Sequence, residues 1–574
     1  MKSVVLYVLD AVCALAAGAV LWIVTTGGGI YQLGELQIRA HSAGTAVLFL
    51  TVIVISRLVA APRTPILGCG GWRPDSLGER FLSWFETAQR SLGSLDGRTA
   101  VRLVWVFVIC ALAIRLSIAW WYTGFFSGDD VEILEFVRSR IEGNEYRMWD
   151  LRNPFFPMVF IYPFVFVAKI VGLNDPHLIV FAGRLAVVIW SLIGVWAAFG
   201  TGRTLFRSDG AGVVTAFLVS IAGLSTRFSA SVLPRAVAGS LILVAVFLLL
   251  DKRSRRREIV AGLIVGVVAA VRFSEILVIL AAVVVLVLER RPSAAKRVAL
   301  AGGIAFALAV GLSDWLFRGD PTHSSIAIFR YTVLEGGSSR GIQPWYEYLP
   351  LMIEAAGLMA IALAALAWKM KERRPLFTWV VVPVLGLSFL PHKEIRYLVP
   401  YIPFLMILVG AGLWRSVRDA TGSPHDRRWR MGIFLAVALP AIVLHQVDLM
   451  RFRRSRDAVA CAQYVAGRMD TGVVAFEQSW RAGRSLYLPR RVRMCDINTS
   501  TIADPTQTLN YARNPQVRFI GLRSQHATAY GYPQRLINLG FVPVQIGTSD
   551  RREYLLFERS HRGDSIVNSS PPTQ

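Results

Sequence analysis

Two adjacent carboxylates, Asp129 and Asp130, are the first residues whose types and spacing could carry chemistry. They follow Ser127 and Gly128 and precede an amphipathic stretch, 131–141. A carboxylate at the start of a helix can accept the free backbone N–H groups there, which accounts for one of the two. A carboxylate held at a membrane surface can also act as a general base. We predict that Asp129 is the catalytic base and that Asp130 is its helper or the helix N-cap.

The segment 392–397 places four titratable residues within a few positions, between two apolar blocks. Lys393 and Arg396 supply cationic hydrogen-bond donors, and His392 can donate a hydrogen bond in either tautomer. We predict that these three side chains bind an anionic group such as a phosphate and that Glu394 orients them. The alternative is a surface turn whose charges are solvated.

Four arginines lie inside apolar blocks or at their ends, namely Arg115, Arg184, Arg235 and Arg272. An arginine is costly in lipid, so each should face the protein interior or a water-filled cavity. Local pairing or snorkelling is the alternative for any single one, and Arg272 is spaced to pair with Glu275. Four such residues on one side of a membrane predict an anionic pocket.

The elements that must position these residues are membrane spans. Of the 574 residues, 54% are hydrophobic and only 17% are charged, which excludes a soluble enzyme, a fibrous protein and a disordered chain. The net charge of +24 comes from basic residues beside the apolar blocks, as in cytoplasmic loops, so we expect no nucleic acid partner. The apolar blocks are 4–24, 44–61, 102–121, 157–173, 180–200, 210–225, 236–251, 257–273, 275–289, 297–316, 349–368, 376–391, 396–414 and 431–447.

The basic loops determine the orientation. Those that should be cytoplasmic are 252–257, 290–297, 369–374 and 415–430. They share a side with Lys2 and with the loop 62–101 only if the block 157–173 dips into the membrane and returns, which its two prolines favour. We therefore predict a polytopic α-helical membrane protein with about thirteen spans, a retained first span, a cytoplasmic amino terminus and a carboxyl terminus on the outer face.

The composition becomes polar after the last apolar block. Residues 450–560 alternate a helical pattern at 458–469 with strand patterns at 472–476, 517–522 and 553–557, which predicts a small α/β domain on the outer face. The predicted domains are thus two amino-terminal spans with a basic loop (1–100), the main membrane domain (101–449), this α/β domain and a disordered tail (561–574). Cys461 and Cys495 in the α/β domain could form a disulfide, and two separate buried thiols are the alternative.

The motifs resemble those of glycosyltransferase family 22, the α-mannosyltransferases of GPI-anchor and N-glycan assembly. Residues 392–397, His-Lys-Glu-Ile-Arg-Tyr, resemble its HKExRF signature with Tyr for Phe. Residues 314–349 are similar to its DxxFYG segment and LEGGSS run, residues 151–157 to its RSYxYP element, and residues 127–130 to its HPDE element. The resemblance covers roughly residues 100 to 415 and implies the GT-C fold, with Asp129 as the catalytic carboxylate and substrate-binding roles for Arg152, Glu335 and Trp345.

The resemblance also implies a reaction. The donor would be a polyprenyl-phosphate sugar, which in this family is mannose. The acceptor would be a glycan or a lipid-linked saccharide, and the configuration at the sugar would be inverted. No metal-binding DxD motif is present in the sequence, so we expect neither a metal nor another cofactor. One alternative is a transporter or flippase of lipid-linked saccharides, and another is that the outer α/β domain binds a glycan or a protein. The expected location is the bacterial inner membrane with a periplasmic active site, or the endoplasmic reticulum if the source is eukaryotic.

Overall fold

The structure is a computed structural model, and it describes the following parts of the chain: 29–33, 36–40, 95–250, 254–335, 342–367, 374–418, 442–447, 449–450, 456–498, 502–546 and 553–560. The predicted apolar blocks 4–24 and 44–61 lie outside the described residues, as do the tail 561–574 and most of the block 431–447.

Helices make up most of the described chain before residue 450. They are α1 (Gly97–Trp121), α2 (Gly128–Ile141), α3 (Tyr162–Ile170), α4 (Pro176–Phe206), α5 (Asp209–Ser220), α6 (Gly223–Ser229), α7 (Arg235–Leu249), α8 (Arg255–Val271), α9 (Leu277–Leu288), α10 (Pro292–Arg318), α11 (His323–Phe329), α12 (Tyr348–Ala356), α13 (Leu358–Ala367), α14 (Arg374–Ser388) and α15 (Ile402–Arg418). An antiparallel hairpin of β1 (Gly29–Leu33) and β2 (Leu36–Ala40), which the sequence did not predict, precedes them.

The chain forms two compact units, each assembled from separate stretches of sequence. The first unit comprises Met1–Ser117, Trp149–Phe160 and Leu185–Arg451. The second unit comprises Ile118–Met148, Ile161–Arg184 and Phe452–Gln574. The carboxylate pair therefore belongs to the second unit, and the segment 392–397 belongs to the first.

Helices α1 and α4 run antiparallel. Towards one end Trp105 contacts Trp196, with ring centroids 4.9 Å apart, and towards the other end Trp120 contacts Phe181 at 5.2 Å. The segment that joins the two helices contains α3, and it leaves and returns at the same pair of helix ends. That the block 157–173 does not cross the membrane stays a prediction.

Some of the described helices are long enough to cross a membrane unaided. Helices α1, α4 and α10 pass on length and composition, and α5 with α6 would form a fourth span if this pair, bent by 57°, acts as one. The other apolar helices in the described part of the chain have 10–17 residues, fewer than the roughly 20 that a full crossing requires. The predicted number of spans therefore stays a prediction.

The carboxyl-terminal region contains a five-stranded sheet. Helix α16 (Arg456–Ala466) precedes β3 (Thr471–Glu477) and β4 (Arg491–Ile497), and α17 (Thr506–Arg513) leads to β5 (Val517–Arg523). Helices α18 (Ser524–Ala529) and α19 (Tyr532–Asn538) and strands β6 (Phe541–Val544) and β7 (Tyr554–Arg559) follow. The strand order is β4-β3-β5-β7-β6, with β4 and β5 parallel to β3 and with β7 antiparallel to β5 and β6. The helix and the three strands expected from the sequence are all present.

The structure corrects the suggestion of a disulfide, because Cys461 and Cys495 are both free thiols. Cys495 lies on β4 and packs against the core cluster that includes Ala475 on the neighbouring strand. Cys461 lies on α16, whose Tyr464 contacts Phe519 on β5, and Phe519 is absent from that cluster. Since neighbouring side chains alternate across a strand, the two cysteines face opposite sides of the sheet.

Candidate active site

Helix α2, which carries the carboxylate pair, is buried on all sides over residues 130–137. The acidic residues opposite the apolar side of this amphipathic stretch are buried as well. Glu132 and Glu135 are only 8% and 6% exposed. Glu135 Oε1 accepts hydrogen bonds from the backbone N–H and the hydroxyl of Ser485, at 3.1 and 2.6 Å, and Oε2 accepts one from the Tyr146 hydroxyl at 3.1 Å. Within the second unit, the carboxyl-terminal domain therefore covers the polar side of α2.

The two adjacent carboxylates have different surroundings. Asp130 is 2% exposed, and its Oδ2 accepts the backbone N–H groups of Phe126 at 2.8 Å and of Ser127 at 3.0 Å. Burial raises the pKa of Asp130 to about 6, although the nearby Arg184 guanidinium lowers it. Asp129 is half-buried. The N-cap is Ser127 and not Asp130, which closes a capping box with it from the third helical position, so Asp129 stays the candidate base.

The structure also corrects the prediction that Arg184 lines an anionic pocket. Its guanidinium donates hydrogen bonds to the backbone carbonyls of Ala119, at 3.1 Å, and of Tyr122 and Gly124. The last carbonyls of a helix have no partner within the helix. Arg184 satisfies them at the end of α1 and thereby holds the loop that leads to the carboxylate pair.

In the first unit, three arginines surround one tyrosine ring. The guanidinium carbons of Arg272, Arg235 and Arg396 lie 4.5, 5.5 and 5.8 Å from the centroid of the Tyr397 ring. Arg235 begins α7, Arg272 directly follows α8, and Arg396 lies in the 3₁₀ turn Ile395–Leu398. The ends of three apolar segments therefore bring together two of the four arginines at the block ends and one residue of the predicted anion-binding segment. We call Arg235, Arg272, Arg396 and Tyr397 together the arginine cluster.

Glu275, a fully buried carboxylate in the turn between α8 and α9, holds Arg272 of the arginine cluster in place. Glu275 accepts a hydrogen bond from Arg272 at 3.1 Å, which confirms the expected pairing, and it also accepts one from the hydroxyl of Tyr401. Sequence reasoning missed Tyr401, because its partner lies 126 positions away in the chain.

A second carboxylate, Glu394, lies between two residues of the predicted anion-binding segment. Its Oε1 is 3.2 Å from Nε2 of His392, and its Oε2 pairs with Nε of Arg396. The ring of His392 also contacts that of Tyr397, with centroids 5.8 Å apart. These contacts are the ones expected if Glu394 orients its neighbours.

Lys393 is placed differently from the prediction. It is 6% exposed, and its ammonium group donates to the backbone carbonyls of Leu390 at 2.6 Å and of Gln343 at 3.0 Å. Burial lowers its pKa, although the charge of Glu347 raises it. Lys393 therefore ties the anion-binding segment to residues 342–343, where an isolated bridge joins Ile342 to His392. This is a structural role and not the predicted phosphate contact.

Arg152 stands in a loop that is fastened by a second arginine. The guanidinium of Arg318, at the end of α10, donates to the carbonyls of Asp150 at 2.9 Å, Trp149 at 3.2 Å and Arg152 at 2.5 Å. The side chain of Asp150 meets Nε2 of His323 at 3.0 Å. The guanidinium of Arg152 itself lies over the Trp149 ring, 5.5 Å from its centroid. Arg318, which stands where the resembled motif has Tyr, thus positions a predicted substrate-binding residue.

Three further residues singled out in the sequence are placed as follows. Glu335 is exposed, and Trp345 is 68% exposed with its ring against that of Tyr346. The Gly336-Gly337 turn between them lies outside the described residues. Arg115 in α1 is 2% exposed, and its Nε and Nη1 atoms have no hydrogen-bond partner among the residues that the structure describes.

The described residues contain no group of three or more His, Cys, Asp or Glu side chains that could hold a metal ion. The expectation of a reaction without a metal or another cofactor stays a prediction.

Comparisons with known proteins were made by sequence and by structure. A family model described as the Alg9-like mannosyltransferase family matches residues 105–456. Undecaprenyl phosphate-alpha-4-amino-4-deoxy-L-arabinose arabinosyl transferases of Pseudomonas paraeruginosa and Pseudomonas aeruginosa are each 27% identical, over 266 and 264 residues. Each match covers 42% of this chain and 47% of the relative, so the chain spans about half the length of the relatives that it matches.

The solved structures that resemble this chain include ArnT from Cupriavidus metallidurans. The crystal structure bound to undecaprenyl phosphate aligns with a TM-score of 0.54 at 15% identity, covering 81% of this chain and 99% of that one. The apo structure of the same protein gives 0.53, at 80% and 98% coverage. At this identity the likeness shows the fold alone, and it agrees with the GT-C fold expected from the sequence.

Proposed function

The chain belongs to the Alg9-like mannosyltransferase family, and from this premise we propose that it is a membrane glycosyltransferase. The donor is a polyprenyl-phosphate sugar, and the acceptor is a glycan or a lipid-linked saccharide. The protein is multi-pass in the bacterial inner membrane, with about thirteen spans, a cytoplasmic amino terminus and the active site at the periplasmic face.

The arginine cluster is the observation that carries this proposal. Three guanidiniums meet around Tyr397 at the ends of apolar segments, where Glu275 pairs with Arg272 and Glu394 pairs with Arg396. Arginine binds phosphate oxygens through a planar fork of N–H donors, and it keeps its charge when partly desolvated. A lipid phosphate leaves at the membrane interface, where side chains at span ends can reach it. We assign the cluster, with His392 and Arg152, to the donor phosphate.

The reaction follows from these assignments. Asp129 accepts the proton of an acceptor hydroxyl as the hydroxyl oxygen attacks C1 of the sugar. The bond between C1 and the phosphate oxygen breaks, and its electron pair leaves with the lipid phosphate. The guanidiniums stabilise the negative charge that develops there. Direct displacement inverts the configuration at C1, so a β-linked donor gives an α-linked product.

The sugar is the finer part of the proposal. Membership of a mannosyltransferase family favours mannose. The two relatives named as arabinosyl transferases favour a second candidate, 4-amino-4-deoxy-L-arabinose, which would be carried by the same lipid phosphate. Glu335 and Trp345 stay proposed substrate contacts on the strength of the motif alone.

Purified protein incubated with polyprenyl-phosphate mannose, and in parallel with the 4-amino-arabinose donor, tests the proposal. We expect release of free lipid phosphate from one of the two. Asp129→Asn should abolish that release and leave the thermal unfolding midpoint unchanged, because the side chain keeps its size. Retained release in Asp129→Asn with loss in Asp130→Asn would move the base by one residue. A flippase would release lipid phosphate from neither donor.

A further inference from the structure

The loop that follows β3 in the second unit carries an aromatic ring and an arginine to helix α2, whose first turn holds the carboxylate pair. We call residues 478–484 the Trp480 loop. It leaves the carboxyl end of β3, the strand that has parallel neighbours on both sides, β4 and β5. In open α/β sheets ligands bind at the carboxyl ends of the strands, where the strand order reverses. The Trp480 loop occupies that position in this sheet.

The base of the loop is fixed to the sheet beneath it. The backbone N–H of Gln478 donates to the carbonyl of Ile497 at 3.2 Å, and that of Ser479 donates to Oδ1 of Asp496 at 2.5 Å. The hydroxyl of Tyr554 donates to the carbonyl of Glu477 at 2.5 Å. These bonds join the loop to β4 and β7, so the side chains that it presents are held in place before any ligand binds.

The backbone of the loop is strained. Gln478 and Arg484 have φ values of 50° and 45°, in the left-handed region that side chains rarely adopt. Gly483 has a φ of 79°, and a methyl group in place of its hydrogen would lie 2.9 Å from the ring of Phe125. Strained residues of this kind collect at ligand-binding sites, where the surrounding structure holds them.

The Trp480 loop reaches the residue next to the proposed base. A methyl group added at Gly128 would lie 3.5 Å from Cγ of Trp480, which is van der Waals contact. The guanidinium of Arg481 lies over the ring of Trp480, 4.8 Å from its centroid. Arg484 Nη1 lies 3.7 Å from Oε2 of Glu135 on the same helix. An aromatic ring with a guanidinium over it therefore lies beside Gly128, the residue that precedes the proposed base.

We propose that the Trp480 loop binds the acceptor and that the acceptor is a saccharide bearing an anionic group, such as a phosphate. This inference rests on the proposed function, because it places the acceptor at Asp129. The face of an indole ring packs against the C–H face of a pyranose, and this contact is assigned to the side of the Trp480 ring opposite Arg481. Arg481 binds the anionic group through its N–H donors. The carboxyl-terminal domain thus selects the acceptor, while the arginine cluster of the first unit holds the donor.

Direct binding tests the inference without turnover. Full-length protein in lipid nanodiscs is titrated by calorimetry with octyl α-mannoside and with its 6-phosphate, and empty nanodiscs correct for partitioning. The 6-phosphate should bind about tenfold more tightly than the neutral glycoside, the gain expected from one charge-assisted hydrogen bond. Arg481→Gln should remove this preference. The matched control Arg513→Gln, an exposed arginine at the end of α17, should retain it.

The contribution of the ring is tested separately. Trp480→Ala should weaken binding of both probes about tenfold, and Trp480→Phe should restore most of it, because phenylalanine keeps an aromatic face. Both variants are checked for an unchanged unfolding midpoint, and Trp480→Phe answers the question if Trp480→Ala does not fold. Absence of binding to either probe, equal affinity for the two, or an unaltered affinity in both variants at Trp480 would overturn the inference.

Comparing the binding titration with donor cleavage separates this inference from the proposed function. The assay of donor cleavage by water in wild-type protein is run without an acceptor probe, so it reports on the proposed function alone. Cleavage without probe binding overturns the assignment of the Trp480 loop and leaves the glycosyltransferase proposal in place. Probe binding without cleavage of either donor overturns the glycosyltransferase proposal and leaves the Trp480 loop as a saccharide-binding site.

Discussion

Replacing Asp130 by asparagine should stabilise the protein at neutral pH. The carboxyl group is buried at the start of α2, and burial raises its pKa from 3.8 to about 6. One pKa unit corresponds to about 1.4 kcal/mol, so keeping this group ionised in the folded state costs about 3 kcal/mol. Asparagine is neutral, and its carbonyl oxygen can still accept the N–H groups of Phe126 and Ser127 that Oδ2 accepts now.

The pH dependence gives the sign of the effect. Because its pKa is higher in the folded state, Asp130 binds its proton more tightly there than in the unfolded chain. Its contribution to the free energy of unfolding therefore falls as pH rises from about 4 to about 6, and it stays at the lower value above that range. Asp130→Asn should gain about 3 kcal/mol over wild type at pH 7.5 and about half of that at pH 5.

The assay is thermal unfolding of the two proteins in the same detergent at pH 7.5 and pH 5.0. The midpoint of Asp130→Asn should be several degrees above that of wild type at the higher pH, and the difference should narrow at the lower one. Asp130→Ala should be less stable than Asp130→Asn by about 1–3 kcal/mol for each N–H group that loses its acceptor. A lower midpoint for Asp130→Asn at pH 7.5, or a difference that does not change with pH, would refute this reasoning.

Three further predictions separate structural from functional residues. Lys393→Met should lower the unfolding midpoint because two backbone carbonyls lose their donor, whereas Arg396→Gln should raise the donor KM sharply; unfolding curves and donor-release kinetics that show the reverse would exchange the two roles. Arg184→Gln should destabilise the protein, since three carbonyls lose their guanidinium, and an unaltered midpoint would contradict the role given to it. Cys461 and Cys495 should both react with a maleimide in denatured protein that has not been reduced, and protection of both would restore the disulfide.

Local patterns predicted those parts of the fold that local chemistry determines. Helix α16 and strands β3, β5 and β7 were expected within a few residues of their observed bounds, because hydrophobic periodicity and buried apolar runs mark them. Strand β6 has only four residues and contains Pro543, which disfavours a strand in the sequence pattern. The pairing of Glu394 with its neighbours in the segment 392–397 was expected for the same local reason.

Contacts between distant parts of the chain account for the errors. The amphipathic pattern of α2 does not predict that Glu135 is buried by Ser485, 350 positions later. Lys393 looks like a phosphate ligand until Gln343, 50 positions earlier, places a carbonyl beside it. Arg184 serves backbone carbonyls that become available only because α1 and α4 pair. The sequence offers each of these side chains many possible partners, and the fold determines which of them lies close enough to bind.

The separation along the sequence between α2 and the residues that cover it also determines when the second unit can fold during synthesis. Arg138 on α2 donates to carbonyls at Ser485 and Leu486, about 350 positions further along the chain. At about 5–20 residues per second, a ribosome needs roughly 20–70 s to reach those positions after it has made α2. During that interval the acidic side of α2 lacks the domain that covers it. The protein should therefore acquire activity only near the end of its synthesis, and a chain interrupted before residue 485 should be a substrate for quality-control proteases.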